Sequence, residues 1–289
     1  MFEERVQKAL SRLGFGSRRE IEGWIKEGRV KVNGEVVELG AKVSEGDSVL
    51  CNGRRAMIKA PQHEVRVLAY NKPEGEVSTR KDESGRPTVF DRLPGISNGR
   101  WVGIGRLDIN TSGLLLFTND GELANRLMHP SNEIEREYAV RVNGIVDDDK
   151  LRQLKKGVRL EDGMAKFDVI EYAEPDDAAD SANHWYHVIL KEGRNREVRR
   201  LWEAVDTRVS RLIRVRYDEI VMPRNLRKGK TVELDFPAVE HLCSKVGLKC
   251  EKPKPRRLSG QARKAHYTGG AKRGPAAKKR AAPKRKPRR

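Results

Sequence analysis

Cysteine is scarce in this chain: three among 289 residues, Cys51, Cys243 and Cys250. The number is odd, no CxxC occurs and no histidine completes a zinc spacing, which excludes a disulfide framework and a zinc ribbon as organising devices. Three reduced thiols in a cytoplasmic protein are expected. The six histidines are scattered, and His129, just before Pro130, reads as a helix end rather than a base. No apolar run approaches membrane-spanning length. The N-terminal MFEERVQKAL is charged and lacks a signal-peptide core, so neither a membrane nor an export route is expected. GxxxxGK[ST], HExxH and GxSxG are all missing. GIGRLD, residues 103–108, starts like GxGxxG but lacks the third glycine and opens a turn, which argues against dinucleotide or S-adenosylmethionine binding. No metal and no cofactor are therefore expected.

Positive charge is abundant, and it is unevenly spread. The net charge is +18, and residues 250–289 hold sixteen Lys/Arg against one acid, Glu251. That stretch carries +15, so the other 249 residues carry only +3. Rich in Pro, Gly and Ala and nearly devoid of large apolar side chains, the tail buries too little surface to offset its ordering entropy and is expected to be disordered. Such tails neutralise phosphates and release counterions, giving salt-sensitive, sequence-blind affinity. Nucleic acid is its expected partner, with a mere solubility tail as the alternative.

The body begins with helical spacing at Val6, Leu10 and Leu13, which predicts a helix over 3–13 closed by Gly14. Ser17-Arg18-Arg19-Glu20 is a capping box for a second helix with Ile21, Trp24 and Ile25 on its apolar stripe and Gly28 at its end. Val30 and Val32 then alternate into Asn33-Gly34, a hairpin signal. Beyond a linker the pattern is strand-rich: VRVLAYNK, an apolar run at Leu114–Phe117, REYAVRVN, MAKFDVIEYA, WYHVILK, RVSRLIRVRY and KTVELDF, with helices expected over 122–128, 147–157 and 195–205. Residues 174–184 read as an acidic surface loop. The division expected is an N-terminal helix-helix-hairpin unit over 1–57, a linker over 58–64, a second domain over 65–248 and the basic tail over 249–289. The fold class is α+β, on a mostly antiparallel or mixed sheet rather than a doubly wound one.

GRLDINTSGLLLFTNDG, from Gly105, puts Asp108 at a tight corner between two apolar runs, with Arg106 two residues before it. Taken alone, such an aspartate is readily explained as an Asx-turn bonding its own backbone. Over 195–205, Val198, Leu201, Trp202 and Val205 form a buried stripe, and Arg199 lies about 100° round from Val198, at the stripe's edge. An arginine there can lay its stem over the core and turn its guanidinium inward. Arg194, Arg196 and Arg200 turn to solvent. Residues 194–216 hold eight arginines against three acids, a local basic patch. Tyr138 and Lys72 alone would pass for a core tyrosine and a strand end.

Together these stretches resemble a known family. Ser17-Arg18-Arg19, Ile25, Gly28-Arg29-Val30 and Val32-Asn33-Gly34 are similar to the S4 RNA-binding domain, which implies that Arg18, Arg19, Arg29 and Lys31 grip structured RNA. Lys72-Pro73 with Gly75, GRLDINTSGLLLFTNDG, REYAV and LKEGRNREVRRL resemble the motifs of the pseudouridine synthases acting on ribosomal RNA, in the branch with an S4 domain. The likeness runs from about residue 3 to 240. It implies isomerisation of a uridine with no cofactor. Asp108 would be the catalytic aspartate (nucleophile or base), Arg199 its ion-pair partner, and Tyr138 would stack on the base and assist the final proton removal. Arg106 would fill the gap left by the flipped base, and Lys72, Arg194, Arg196 and Arg200 would complete the RNA-binding set. YNKPEGEVSTRKDESGRPTVFDRLP, GELANRLMHPS and RRLWEAVDTRVSRLIRVRYDEI look most like large-subunit members, which implies 23S rRNA or an assembling large ribosomal subunit as partner and the 2605-type uridine as target. A cytoplasmic monomer is expected. The rivals are a non-catalytic S4-type rRNA-binding or ribosome-assembly factor and an S4-bearing RNA methyltransferase; the second lacks its glycine-rich cofactor loop.

Overall fold

The computed structural model describes residues 2–59, 64–96, 99–144, 146–173, 183–252 and 266–267. In the N-terminal unit the chain runs β1 (Glu3–Arg5), α1 (Val6–Arg12), α2 (Arg18–Lys26), β2 (Val30–Val32), β3 (Glu35–Val36), β4 (Lys42–Ser44), β5 (Ser48–Cys51) and β6 (Arg54–Met57). The helix expected over 3–13 is shorter than its spacing suggests. Glu3–Arg5 are extended because they pair antiparallel with Lys42–Ser44. The capping box is formed in full: Glu20 N–H donates to Ser17 Oγ at 3.2 Å, and Ser17 N–H donates to the Glu20 carboxylate at 2.7 Å. Asn33 (φ 52°) and Gly34 (φ 96°) make the tight left-handed turn between β2 and β3. Val6, Leu10, Ile21, Ile25, Val30, Val49 and Ile58 form one buried core beneath the two helices.

The larger unit runs β7 (Val67–Lys72), β8 (Val102–Ile104), β9 (Ser112–Thr118), α3 (Gly121–Met128), β10 (Arg136–Asn143), α4 (Asp148–Lys156), β11 (Val158–Leu160), β12 (Gly163–Ala165), β13 (Val169–Ala173), β14 (Asn183–Leu190), α5 (Glu197–Glu203), β15 (Val209–Tyr217), β16 (Ile220–Val221), β17 (Thr231–Leu234), α6 (Phe236–Lys245) and β18 (His266–Tyr267). Ten of these strands share one mixed sheet, in the order β13-β14-β10-β15-β9-β7-β17-β18, with β16 on β15 and β8 on β9. Within this sheet, among the described residues, only β15–β9 and β17–β18 pair in parallel.

The central strands are buried on both faces, which is why they read as continuous apolar runs. Val67, Ala69, Leu114 and Leu116 pack with Leu123 and Leu127 of α3 and Val239 and Leu242 of α6. Their alternates Leu68, Tyr70, Leu115 and Phe117 face the other way, into the core that Leu154 of α4 and Leu201 and Trp202 of α5 complete. Where β9 meets β15, Gly113 (φ 103°) stands opposite Arg214. A Cβ on Gly113 would lie 2.3 Å from the Arg214 carbonyl oxygen, so only glycine permits this approach.

Several sequence expectations are corrected. MAKFDVIEYA is two strands rather than one, because Phe167 turns into the core against Trp202 and its N–H bonds the Leu154 carbonyl. The chain thereby changes partners, from β11 to β14. Helix α6 was not anticipated. Its Cys243 is joined to Cys250 in a disulfide seven residues on, so only Cys51 is a free thiol. Beyond residue 252 the described residues are His266–Tyr267, which pair with Glu233–Leu234. The rest of the tail from 253, and residues 174–182 of the acidic loop, lie outside the described residues.

Candidate active site

The turn that carries Asp108 is held by its carbonyls. Thr111 N–H closes it onto the Asp108 carbonyl at 3.0 Å. Ser78 Oγ donates to the Leu107 carbonyl at 2.7 Å and accepts from Leu107 N–H at 3.2 Å. Lys72 Nζ donates to the carbonyls of Asp108 (3.1 Å) and Thr111 (2.8 Å). Gly75 N–H donates to the Ile109 carbonyl at 2.8 Å. Arg199 Nη2 donates to the Asn110 carbonyl at 2.9 Å. Five successive carbonyls, 107 to 111, thus have donors from four other residues, Lys72, Gly75, Ser78 and Arg199, and every carbonyl of the turn is satisfied.

The Asp108 carboxylate is not part of that network. Half-buried, it has no hydrogen bond or ion pair among the described residues, and it does not bond its own backbone. The Asx-turn explanation therefore fails. The carboxylate instead lines a cleft of about 1100 Å³ together with Arg106, Tyr138, Arg194, Arg196 and Arg214. Tyr138 is nearly buried on β10, in register with Val188 on one side and Arg214 on the other. Arg106 is exposed at the cleft wall.

Two expected roles change. Lys72 does not face RNA: its side chain is wholly buried, and its amine lies under the turn. Burial pushes its pKa down to about 8, against the pull of Glu76, Asp108 and Glu74. Arg199 is drawn inward as its place on α5 suggested, but it forms no ion pair with Asp108. Its guanidinium bonds the carbonyls of Val209 (3.1 Å) and Asn110 instead. Burial, then the charge of Arg196, lowers its pKa, while Asp108 opposes the shift from a distance. Both cations buttress the turn that presents the carboxylate.

Of the basic residues on α5 and before it, Arg194 and Arg200 are spoken for. Arg200 grips the Asp162 carboxylate at 2.9 and 2.8 Å, and Arg194 reaches the Met164 carbonyl at 2.9 Å, tying the β11–β12 turn to the helix. Arg196 (φ 48°) is exposed beside Glu203. In the N-terminal unit Arg18, Arg19, Arg29 and Lys31 are exposed on α2 and around β2, and Arg29 pairs with Glu27 at 2.9 Å. Sequence reasoning missed Arg136 and Arg214. Both line the cleft, and alternation along the strand was a usable signal: each lies two residues from another cleft residue, Tyr138 and Leu212. Among the described residues no three His, Cys, Asp or Glu side chains cluster in a way that would hold a metal. No helix there is long and apolar enough to cross a membrane.

Residues 66–204 match the family model described as RNA pseudouridylate synthase, and residues 4–49 match the S4 domain. The chain is 57% identical over 251 residues to "Ribosomal large subunit pseudouridine synthase B" of Yersinia pestis, covering 86% of this chain and 78% of that one. The protein of the same name in Escherichia coli (strain K12) is 55% identical over 248 residues, covering 85% and 84%.

The chain belongs to the RNA pseudouridylate synthase family.

A crystal structure of a pseudouridylate synthase is similar along 82% of this chain and 99% of its own, at 25% identity and a TM-score of 0.57. The pseudouridylate synthase match spans the turn of Asp108, Tyr138 and α5, and its S4 match spans the exposed basic residues of α2 and β2.

Proposed function

We propose that this chain converts one uridine of 23S ribosomal RNA, the 2605-type uridine, to pseudouridine, with Asp108 as the catalytic carboxylate. The observation that carries the reading is a free carboxylate on a turn whose every carbonyl is anchored, facing a cleft wide enough for a nucleotide. The relatives' name, ribosomal large subunit pseudouridine synthase B, supports the substrate class.

The chemistry needs the uridine out of its stack. Flipping costs a few kcal/mol, and one aromatic stacking contact returns about 1–3 kcal/mol. Tyr138 supplies the ring, and Arg106 at the cleft wall fills the vacated place in the helix. The N1–C1′ bond then breaks, the uracil turns, and C5 bonds C1′, after which the C5 proton leaves with Tyr138 close by. Two routes run through Asp108: attack on C1′, or removal of the 2′ proton to give a glycal. Both need a carboxylate held still, and the anchored turn does that. Exposed Arg18, Arg19 and Lys31 dock the RNA by its backbone.

The test is tritium release from 23S rRNA labelled at uridine C5, wild type beside Asp108→Asn. Release by wild type alone, with RNA affinity unchanged in the variant, is expected. No release by wild type from transcript or from ribosomal particles leaves an rRNA-binding assembly factor in its place.

A further inference from the structure

The cleft holds two cations without counter-ions. Arg214 is 2% exposed and Arg136 8%. Arg214 Nε donates to the Leu114 carbonyl at 2.7 Å, while its Nη2 is buried with no partner. Arg136 Nη1 donates to the carbonyls of Ile134 (2.7 Å) and Lys191 (2.6 Å). Among the described residues neither guanidinium has a carboxylate within 4.0 Å. Each lies 5.3 Å from the ring centre of the same buried residue, Tyr217, whose hydroxyl is committed to the Leu127 carbonyl at 2.7 Å.

Desolvated charge without a partner is costly, and a shared aromatic ring offsets only part of that cost. The acids of the same cleft do not supply the rest. Asp108, Glu133, Asp168 and Glu192 lie beyond ion-pair distance of both arginines. Glu197 is buried, accepts from Arg194 N–H at 3.0 Å and lies beyond ion-pair distance of both arginines; burial pushes its carboxyl up, against the pull of Arg194 and Arg136. Two like charges set on one ring, open to a cleft for a nucleotide, call for a ligand that brings negative charge. Uracil is neutral; the strand that carries it is not.

We infer that Arg136 and Arg214 form a receptor for one backbone phosphate flanking the flipped uridine, Arg214 being the specific anchor because it stands in register beside Tyr138. This rests on the proposed reading of the cleft as the uridine site. A guanidinium fork matches phosphate oxygens in geometry as well as charge. Seating the phosphate there fixes the sugar relative to Asp108, so the pair are positioning residues rather than participants in bond exchange.

The test is a coupling measurement on a 23S rRNA stem-loop carrying the target uridine. A neutral methylphosphonate replaces the phosphate on one flank or the other, and binding is read by fluorescence anisotropy with wild type and Arg214→Gln. At one flank wild type should lose about tenfold in affinity. Arg214→Gln, already weakened by a similar factor on unmodified RNA, should lose almost nothing more there. Equal losses in both proteins at both flanks overturn the inference. Arg136→Gln repeats the test at the second guanidinium, and thermal melts by circular dichroism identify a variant that has not folded. Tritium release by wild type on the unmodified stem-loop is followed separately. A failure of the isomerase reading thus shows there, and a failure of the phosphate receptor shows in the binding cycle.

Discussion

Lys72 lies under Asp108: its amine donates to the aspartate's own carbonyl at 3.1 Å, while the aspartate's carboxylate bonds nothing among the described residues. One side chain is wholly buried to hold the backbone so that the other stays unbonded. The lysine is thus a strut, and its contribution should register in stability as well as in activity.

Replacing Lys72 by Met leaves the Thr111 carbonyl without its buried donor and the Asp108 carbonyl with Thr111 N–H alone, and should cost about 3 kcal/mol. The cost should also depend on pH. The folded pKa is about 8 against an ordinary 10.5, so between those values the unfolded chain holds a proton that the folded chain has released. Stability therefore rises with pH across that window, by up to about 2–3 kcal/mol. Urea unfolding of both proteins at about pH 7 and about pH 10 checks it: the gap between wild type and Lys72→Met should widen at the higher pH. A gap that stays constant would mean that the amine is not desolvated.

Arg199→Lys keeps the charge but loses the fork that ties Asn110 of the turn to Val209 of β15, so one of the two carbonyls loses its donor. Small misplacements of a reacting group cost about a hundredfold in rate, so single-turnover rates should fall by about that factor while RNA affinity holds. A loss of affinity at unchanged rate would instead make Arg199 an RNA contact.

Gly113→Ala puts a methyl where the Arg214 carbonyl oxygen stands at 2.3 Å, on a residue with φ 103°. Steric and backbone strain together should cost about 3 kcal/mol, read as a lowered melting temperature. An unchanged melt would show that β9 and β15 are not in such close approach.

Much of this was legible in the sequence, and the reasons are local. The capping box at Ser17, the turn at Asn33-Gly34 and the alternation around Tyr138 each depend on a few neighbouring residues. The corner at Asp108 could be read too, but the reason its carboxylate is free could not. Lys72 is 36 residues away and Arg199 89 residues from its partner Asn110, and no spacing rule says that the amine and the guanidinium reach carbonyls rather than RNA or a carboxylate. Glu3–Arg5 and Phe167 failed for the same cause: helical or strand patterning was overridden by a partner distant in sequence, Lys42–Ser44 in one case and Trp202 in the other. Cys243 and Cys250 showed no motif, and only the end of α6 brings them together.

The middle of the sheet has a last consequence. β9 is bonded to β7 on one side and to β15 on the other, and the residues around the cleft come from chain positions as far apart as Lys72 and Arg214. Half a sheet has no site: with β7 to β9 alone, the turn of Asp108 lacks Arg199, the flank of β15 and the wall of β10. Contacts so remote in sequence are the slowest to form, because loop closure must come before they contribute. Isomerase activity is therefore a reporter of complete folding, and a chain caught part-way can carry the aspartate without exposing RNA to it in working form.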